Sequence, residues 1–194
     1  MSKSLNVKDL VTIGVFAILY FFIAFIVAIL GVFPIFIFVI PFLTAVFGGT
    51  LVMLFMSKVN KPWALFIFGM IPPCIMWAMG HTYIVPITAI LFIGIAELIF
   101  RKGKFTSLKY NTFSYSFFSC WGTGAIIQMI ILKEQYIKAQ IQAGISEESI
   151  NQLVNLITLP TFILIIVITW IGGLIGAFVG RKMLKKHFEK AGIV

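Results

Sequence analysis

From Leu10 to Leu30 the chain carries no charged residue. A helix needs about 20 apolar residues to cross about 30 Å of hydrocarbon, so this run has the length and character of a membrane span. Five further segments share that character: Phe36 to Ser57, Trp63 to Met79, Tyr83 to Phe100, Leu108 to Leu132 and Leu159 to Met183. The chain as a whole is 61% hydrophobic and 11% charged, where a soluble domain has about 45–50% and about 25%. The expected fold is an all-α membrane protein, one domain over residues 1–194 built as a bundle of six transmembrane helices. The first run is longer than the apolar core of a cleavable signal, about 7–15 residues. It is expected to stay as the first span.

The basic residues test that count. The formal net charge is +9, which in a soluble protein would suggest a nucleic-acid partner; here it reads as topology, and no nucleic acid is expected. Of the 15 basic residues, all but Lys133 and Lys138 fall before span one, between spans two and three, between four and five, or after six. The positive-inside rule then puts both termini in the cytoplasm. Five or seven spans would scatter these charges.

Prolines mark three irregular places. Pro34 and Pro41 suggest that the outer end of span two is kinked or part of a loop. Gly69 and Pro72-Pro73 suggest a break in span three, because proline removes a backbone donor and clashes with the preceding turn. Such a break inside a membrane is covered by protein or lines a cavity. Pro86 and Pro160 sit near span starts, where proline is tolerated. The long outer segment, about residues 133–158, repeats Ile137, Ile141 and Ile145 at helical spacing, then restarts after Gly144 with Ser146 as a cap. Two short amphipathic helices lying over the outer face are expected there.

Few residues could carry chemistry. Cys74 and Cys120 lie in apolar segments and form no CxxC pair, so they read as small core residues. No P-loop, HExxH or GxSxG motif is present. His81 and His187 are expected at opposite ends of the bundle. Glu97 is the one acidic residue within a span, with Arg101 following at i+4. That order makes a structural ion pair the preferred reading over an ion or proton site. Catalysis is therefore not expected, and no metal site or cofactor is expected in this chain.

Binding is better represented. Thr112, Ser116, Cys120, Gly124 and Gln128 recur at i+4 along span five, a stripe unsuited to lipid. The outer ends collect Trp77, His81, Tyr83, Trp121, Gln128, Tyr136, Asn155 and Thr158. These read either as an interfacial aromatic belt with helix cross-links, or as the wall of an outward pocket roofed by the 133–158 segment. His81 in the second case is a ligand contact, in the extreme an axial haem ligand. A flat, partly apolar small molecule such as a vitamin or a porphyrin suits the aromatic wall, and no acidic set for a hard metal ion is present.

In the last span Gly172, Gly176 and Gly180 recur every fourth residue, and Ala24 with Ala28 forms a second small pair in span one. Small residues at this spacing clear a helix face for close packing. The stretch LNVKDLVTIGVFAI (5–18), six spans, a polar outer half and a last helix ending GRKMLKK together resemble the S-components of energy-coupling factor transporters, closest to the Trep_Strep or MptS-like group. The resemblance implies a substrate-binding subunit of a bacterial plasma-membrane importer. Its partners would be a coupling transmembrane subunit and two ATPase subunits, which would hydrolyse the ATP. The family docks through an AxxxA motif in span one; those positions are Gly14 and Ile18 here, with Ala17 alongside as a further small surface. The alternatives are a stand-alone secondary carrier or channel, favoured by Glu97 and a broken third span, and a membrane enzyme built on His81, Cys120 or Glu97.

Overall fold

The computed structural model describes residues 4–185. Lys3, Lys186, His187 and Lys190 lie outside the described residues. Nine α-helices are described: α1 (Val7–Ala28), α2 (Ile40–Lys58), α3 (Ala64–Ala78), α4 (Ile84–Lys102), α5 (Leu108–Ser119), α6 (Gly124–Ile131), α7 (Lys133–Gln142), α8 (Glu147–Asn155) and α9 (Leu159–Met183). Strands are absent among the described residues.

Local chemistry sets several boundaries. Asn6 Oδ1 accepts from the Asp9 amide at 2.9 Å, and Asp9 Oδ2 accepts from the Asn6 amide at 2.8 Å, a reciprocal cap for α1. Asp9 also pairs with Lys61 at 2.6 Å, tying the start of α1 to the α2–α3 loop. Pro41 lies in the first turn of α2, after two short 3-10 turns at Ile29–Val32 and Pro34–Phe38. The irregularity expected there is thus a helix start. The break expected at Pro72-Pro73 does not occur. α3 runs through both prolines, and both rings are buried. Each proline removes one i to i−4 bond without interrupting the helix. The irregular backbone lies elsewhere, at the 3-10 turn Cys120–Thr123, which divides the expected fifth span into α5 and α6.

By length and composition four segments can cross a membrane: Val7–Gly31, Ile40–Lys58, Ile84–Lys102 and Leu159–Met183. Leu108–Ile131 qualifies as a fifth when paired with Lys133–Gln142, from which it is bent by 96°. α3 has 15 residues, about 22 Å at 1.5 Å per residue, which is short of a full hydrocarbon core. Many large apolar side chains on α1, α4 and α9 are exposed, as a lipid-facing belt requires.

The centre of the bundle is the parallel pair α2 and α9. Gly172 lies against Phe42, Gly176 against Ala45 and Gly49, and Gly180 against Thr50. A Cβ on Gly49 would fall inside the backbone of Gly176. α5 packs antiparallel on α9 through Ser119 and Thr169, where the serine hydroxyl reaches the threonine carbonyl at 3.4 Å. An aromatic column then fills the space beside these helices. Phe55 stacks on Phe68 at 4.4 Å, Phe68 on Phe118 at 5.5 Å, and Tyr20 meets Phe118 edge-on at 5.5 Å.

Glu97 organises the start of α3. Its carboxylate accepts from the Trp63 amide at 2.7 Å, the Phe66 amide at 3.3 Å and Arg101 Nε at 2.7 Å, and the residue is 1% exposed. Trp63 has φ 69°, a left-handed conformation that turns the chain into α3 beneath this carboxylate. Arg101 also lies 4.2 Å from the Trp63 ring centroid.

Gly176→Leu is expected to lower the thermal midpoint of the purified protein steeply, costing at least about 3 kcal/mol, because the obstruction is backbone that cannot move aside. Glu97→Ala leaves two amides and Arg101 without their acceptor and is expected to cost about 3 kcal/mol. Glu97→Gln, which keeps an acceptor, is expected to cost less in the same melting measurement.

Candidate functional site

The turn Cys120–Thr123 interrupts a span, and irregular backbone at that depth belongs beside a cavity or buried protein. A cavity of about 250 Å³ lies against it, with Trp121 and Gly122 in its wall. The opposite wall is one face of α1: Phe21, Ala24, Phe25 and Ala28. Pro41 and Thr44 at the start of α2 and Met76 at the end of α3 complete the side. Met79 and His81 close the rim. A second cavity, of about 390 Å³, shares Met79 and His81 with the first and is roofed by α7 through Tyr136 and Gln140, with Leu132 just before that helix. α8 holds the same end of the bundle by packing Ile150, Leu153 and Val154 against Ile37 and Phe38. Ser146 caps α8, its hydroxyl accepting from the Ser149 amide at 3.3 Å.

His81 sits between the two cavities, in the α3–α4 loop. Burial pushes its pKa below the ordinary histidine value, so the imidazole is neutral near pH 7. Its Nδ1 lies 3.5 Å from Gln128 Nε2. Gln128 Oε1 is already engaged, accepting from the Thr82 hydroxyl at 3.0 Å and the Thr82 amide at 3.4 Å. Trp121 Nε1 donates to the Tyr20 hydroxyl at 3.3 Å, and the Tyr115 hydroxyl donates to the Ala45 carbonyl at 2.6 Å. These bonds hold the inner wall of the first cavity to the aromatic column. Burial likewise raises the Tyr136 phenol, so it stays protonated in the roof of the second cavity.

The residues singled out in the sequence divide. His81 and Trp121 line the first cavity, and His81, Gln128 and Tyr136 the second. Trp77 and Tyr83 are 56% and 55% exposed and line neither. Asn155 accepts from Lys133 at 3.0 Å, joining the two lid helices, and Thr158 caps α9. Ala24 and Ala28, expected to pack helices, line the first cavity. On α1 Ile18 is exposed and Gly14 half-buried, whereas Ala17 is fully buried in the core. Phe21, Phe25, Thr44 and Met79 line the first cavity without having been singled out. The i, i+3, i+4, i+7 spacing of positions 21, 24, 25 and 28 was their signal, and Thr44 is a lone hydroxyl in an apolar stretch.

Among the described residues no group of three or more His, Cys, Asp or Glu could hold a metal ion. Helices of this length and apolarity, bundled beneath a two-helix lid, define an integral membrane protein that crosses the bilayer several times. The chain belongs to the Trep_Strep family, described as hypothetical bacterial integral membrane proteins, whose model matches residues 7–190. No curated protein and no solved structure matches it.

The depressed pKa of His81 links stability to pH. The unfolded chain takes up a proton near pH 6.5 that the folded chain resists, so stability is full above that pH and falls below it. The thermal midpoint of the wild type is expected to drop between pH 6.5 and 5 by more than that of His81→Gln, which has no titrating ring.

Proposed function

We propose that this chain is the substrate-binding subunit of an energy-coupling factor importer. It captures a small vitamin- or cofactor-like molecule at the lid end and docks on a coupling transmembrane subunit with two ATPase subunits. The observation that carries this reading is the capped cavity between α1, α3 and the Cys120–Thr123 turn, at the end of the bundle away from most of the basic residues. Binding sites are concave and mostly apolar, with a few placed polar groups, and this cavity has that form. The chain has no P-loop, so energy for uptake would come from ATP bound by the partners. In this reading α3 counts as a short span, both termini are cytoplasmic, and the lid faces outward.

Docking falls to the outward side of α1. A Cβ added to Gly14 would meet nothing within 4 Å, so this position is bare and unused by the bundle. Gly172, Gly176 and Gly180, by contrast, are buried against α2. The two features that favoured a stand-alone carrier lose weight. Glu97 is occupied in capping α3, and α3 is unbroken. An enzyme reading lacks a constellation, since His81, Cys120 and Glu97 bond to different partners in separate places.

Native mass spectrometry of the chain purified gently from its host tests the proposal. Co-purifying ATPases and a coupling subunit are expected; a lone chain under conditions that preserve other membrane complexes overturns it. Gly14→Leu is expected to reduce complex yield severalfold while leaving the thermal midpoint of the isolated chain unchanged. An undiminished yield removes α1 as the docking face.

A further inference from the structure

None of the residues lining the two cavities is charged. The nearby lysines of the lid are directed elsewhere: Lys133 bonds Asn155, and Lys138 is exposed. An ionised ligand group placed here would lose its hydration without gaining a partner, a cost of several kcal/mol. The polar groups of the first cavity are few, Thr44, Ser119 and His81 among them, while the second is lined by more, including Thr82, Gln128, Gln135, Tyr136 and Gln140. Thr44 is 8% exposed and lines the first cavity, and His81 and Gln128 meet at the boundary with the second.

The hydrogen-bond pattern assigns the His81 tautomer. Gln128 Oε1 receives both Thr82 donors, so the amide group Nε2 is the one turned to His81 Nδ1. A neutral imidazole that accepts at Nδ1 carries its proton at Nε2. His81 therefore offers the cavity rim an N–H donor, and no free lone pair for a metal.

We propose that the ligand is a small, uncharged molecule with a flat apolar body and one hydrogen-bond acceptor, which receives the Nε2–H of His81. The apolar body lies among Phe21, Phe25 and Trp121. The first cavity, about 250 Å³, holds on the order of a dozen non-hydrogen atoms at interior packing density. A porphyrin with acidic side chains exceeds the first cavity, and its carboxylates would meet no cation among the residues lining either cavity. This inference rests on the importer reading only for the fate of the ligand; the chemistry of the site stands by itself.

Three flat probes of nearly one size separate the terms: coumarin, a neutral bicycle with a carbonyl acceptor; naphthalene, without an acceptor; and trans-cinnamate, an anion at pH 7. Binding is measured by equilibrium dialysis on the full chain in nanodiscs, with partition into empty nanodiscs subtracted. Coumarin is expected to bind saturably, naphthalene about fivefold more weakly, the worth of one net hydrogen bond, and the anion without saturation. His81→Phe is expected to erase the coumarin–naphthalene difference, and His81→Gln, which keeps an N–H donor, to retain it. The proposal is overturned if coumarin shows no saturable binding. It is equally overturned if the anion binds as tightly as coumarin, or if the preference survives His81→Phe. The wild-type ranking decides the charge question even where a variant fails to fold. Partner capture by native mass spectrometry is read separately. An anion-preferring chain that still brings its ATPases keeps the importer and loses this ligand class; a coumarin-binding chain without partners does the reverse.

Discussion

The backbone contact between α2 and α9 is the constraint on which the rest of the bundle depends. Lipid tails are as apolar as leucine, so helices in a membrane are held by close packing rather than by expulsion from water. Gly49 and Gly176 let two backbones touch, and Gly172 and Gly180 extend the same seam above and below. The seam also aligns the carbonyl of Ala45, which accepts the Tyr115 hydroxyl. That bond draws α5 into place, and the rings of Tyr115, Phe118, Phe68 and Phe55 follow as a stack. Tyr20 joins the stack over Gly48, where a Cβ would lie 2.6 Å from its ring. Trp121 hangs from Tyr20 by its indole nitrogen. One wall of the candidate binding cavity is thus the far end of a chain of contacts that starts at two glycines.

Many polar side chains inside the bundle bond to backbone groups rather than to one another. Glu97 accepts from the first amides of α3 and pairs with Arg101, so its charge is spent on structure. The hydroxyls of Ser114, Ser116, Ser119 and Thr123 all reach carbonyls of α4 or of their own helix. In the lower half of span five Thr112 and Ser116 thus bond back to their own helix, while Ser114, Ser119 and Cys120 reach across to α4 and α9. Only around the Cys120–Thr123 turn, and at Gln128 beyond it, does the stripe open onto space.

This division gives the molecule two ends with different work. The lid end holds cavities walled by apolar and neutral polar groups. At the other end Asp9–Lys61 and Glu97–Arg101 staple the loops together. Between the two ends the spans carry little charge, and Gly14 leaves a bare spot on α1.

The amino-acid sequence by itself determined the class, the positions of the long apolar helices, of which four to five can cross a membrane by length and composition, and the crowding of basic residues at alternate connections. It also determined the two lid helices and the Ser146 cap, because these are local properties of length, periodicity and side-chain chemistry. Leu159–Met183 is a helix with the bounds expected of it. Which residues face the cavities was decided only by the tertiary structure. Trp77 and Tyr83 have the aromatic character of a pocket wall yet point away, while Phe21, Ala24 and Phe25 lie in the most uniform apolar run of the chain and form the wall. Pro72-Pro73 looked like a break and is continuous helix although two consecutive amide donors are missing; Cys120–Thr123 looked regular and is the break. Periodicity tells which residues share a helix face. It does not tell what that face meets, since that is settled by where a neighbouring backbone can come close, and here two glycines far apart in the chain decide it.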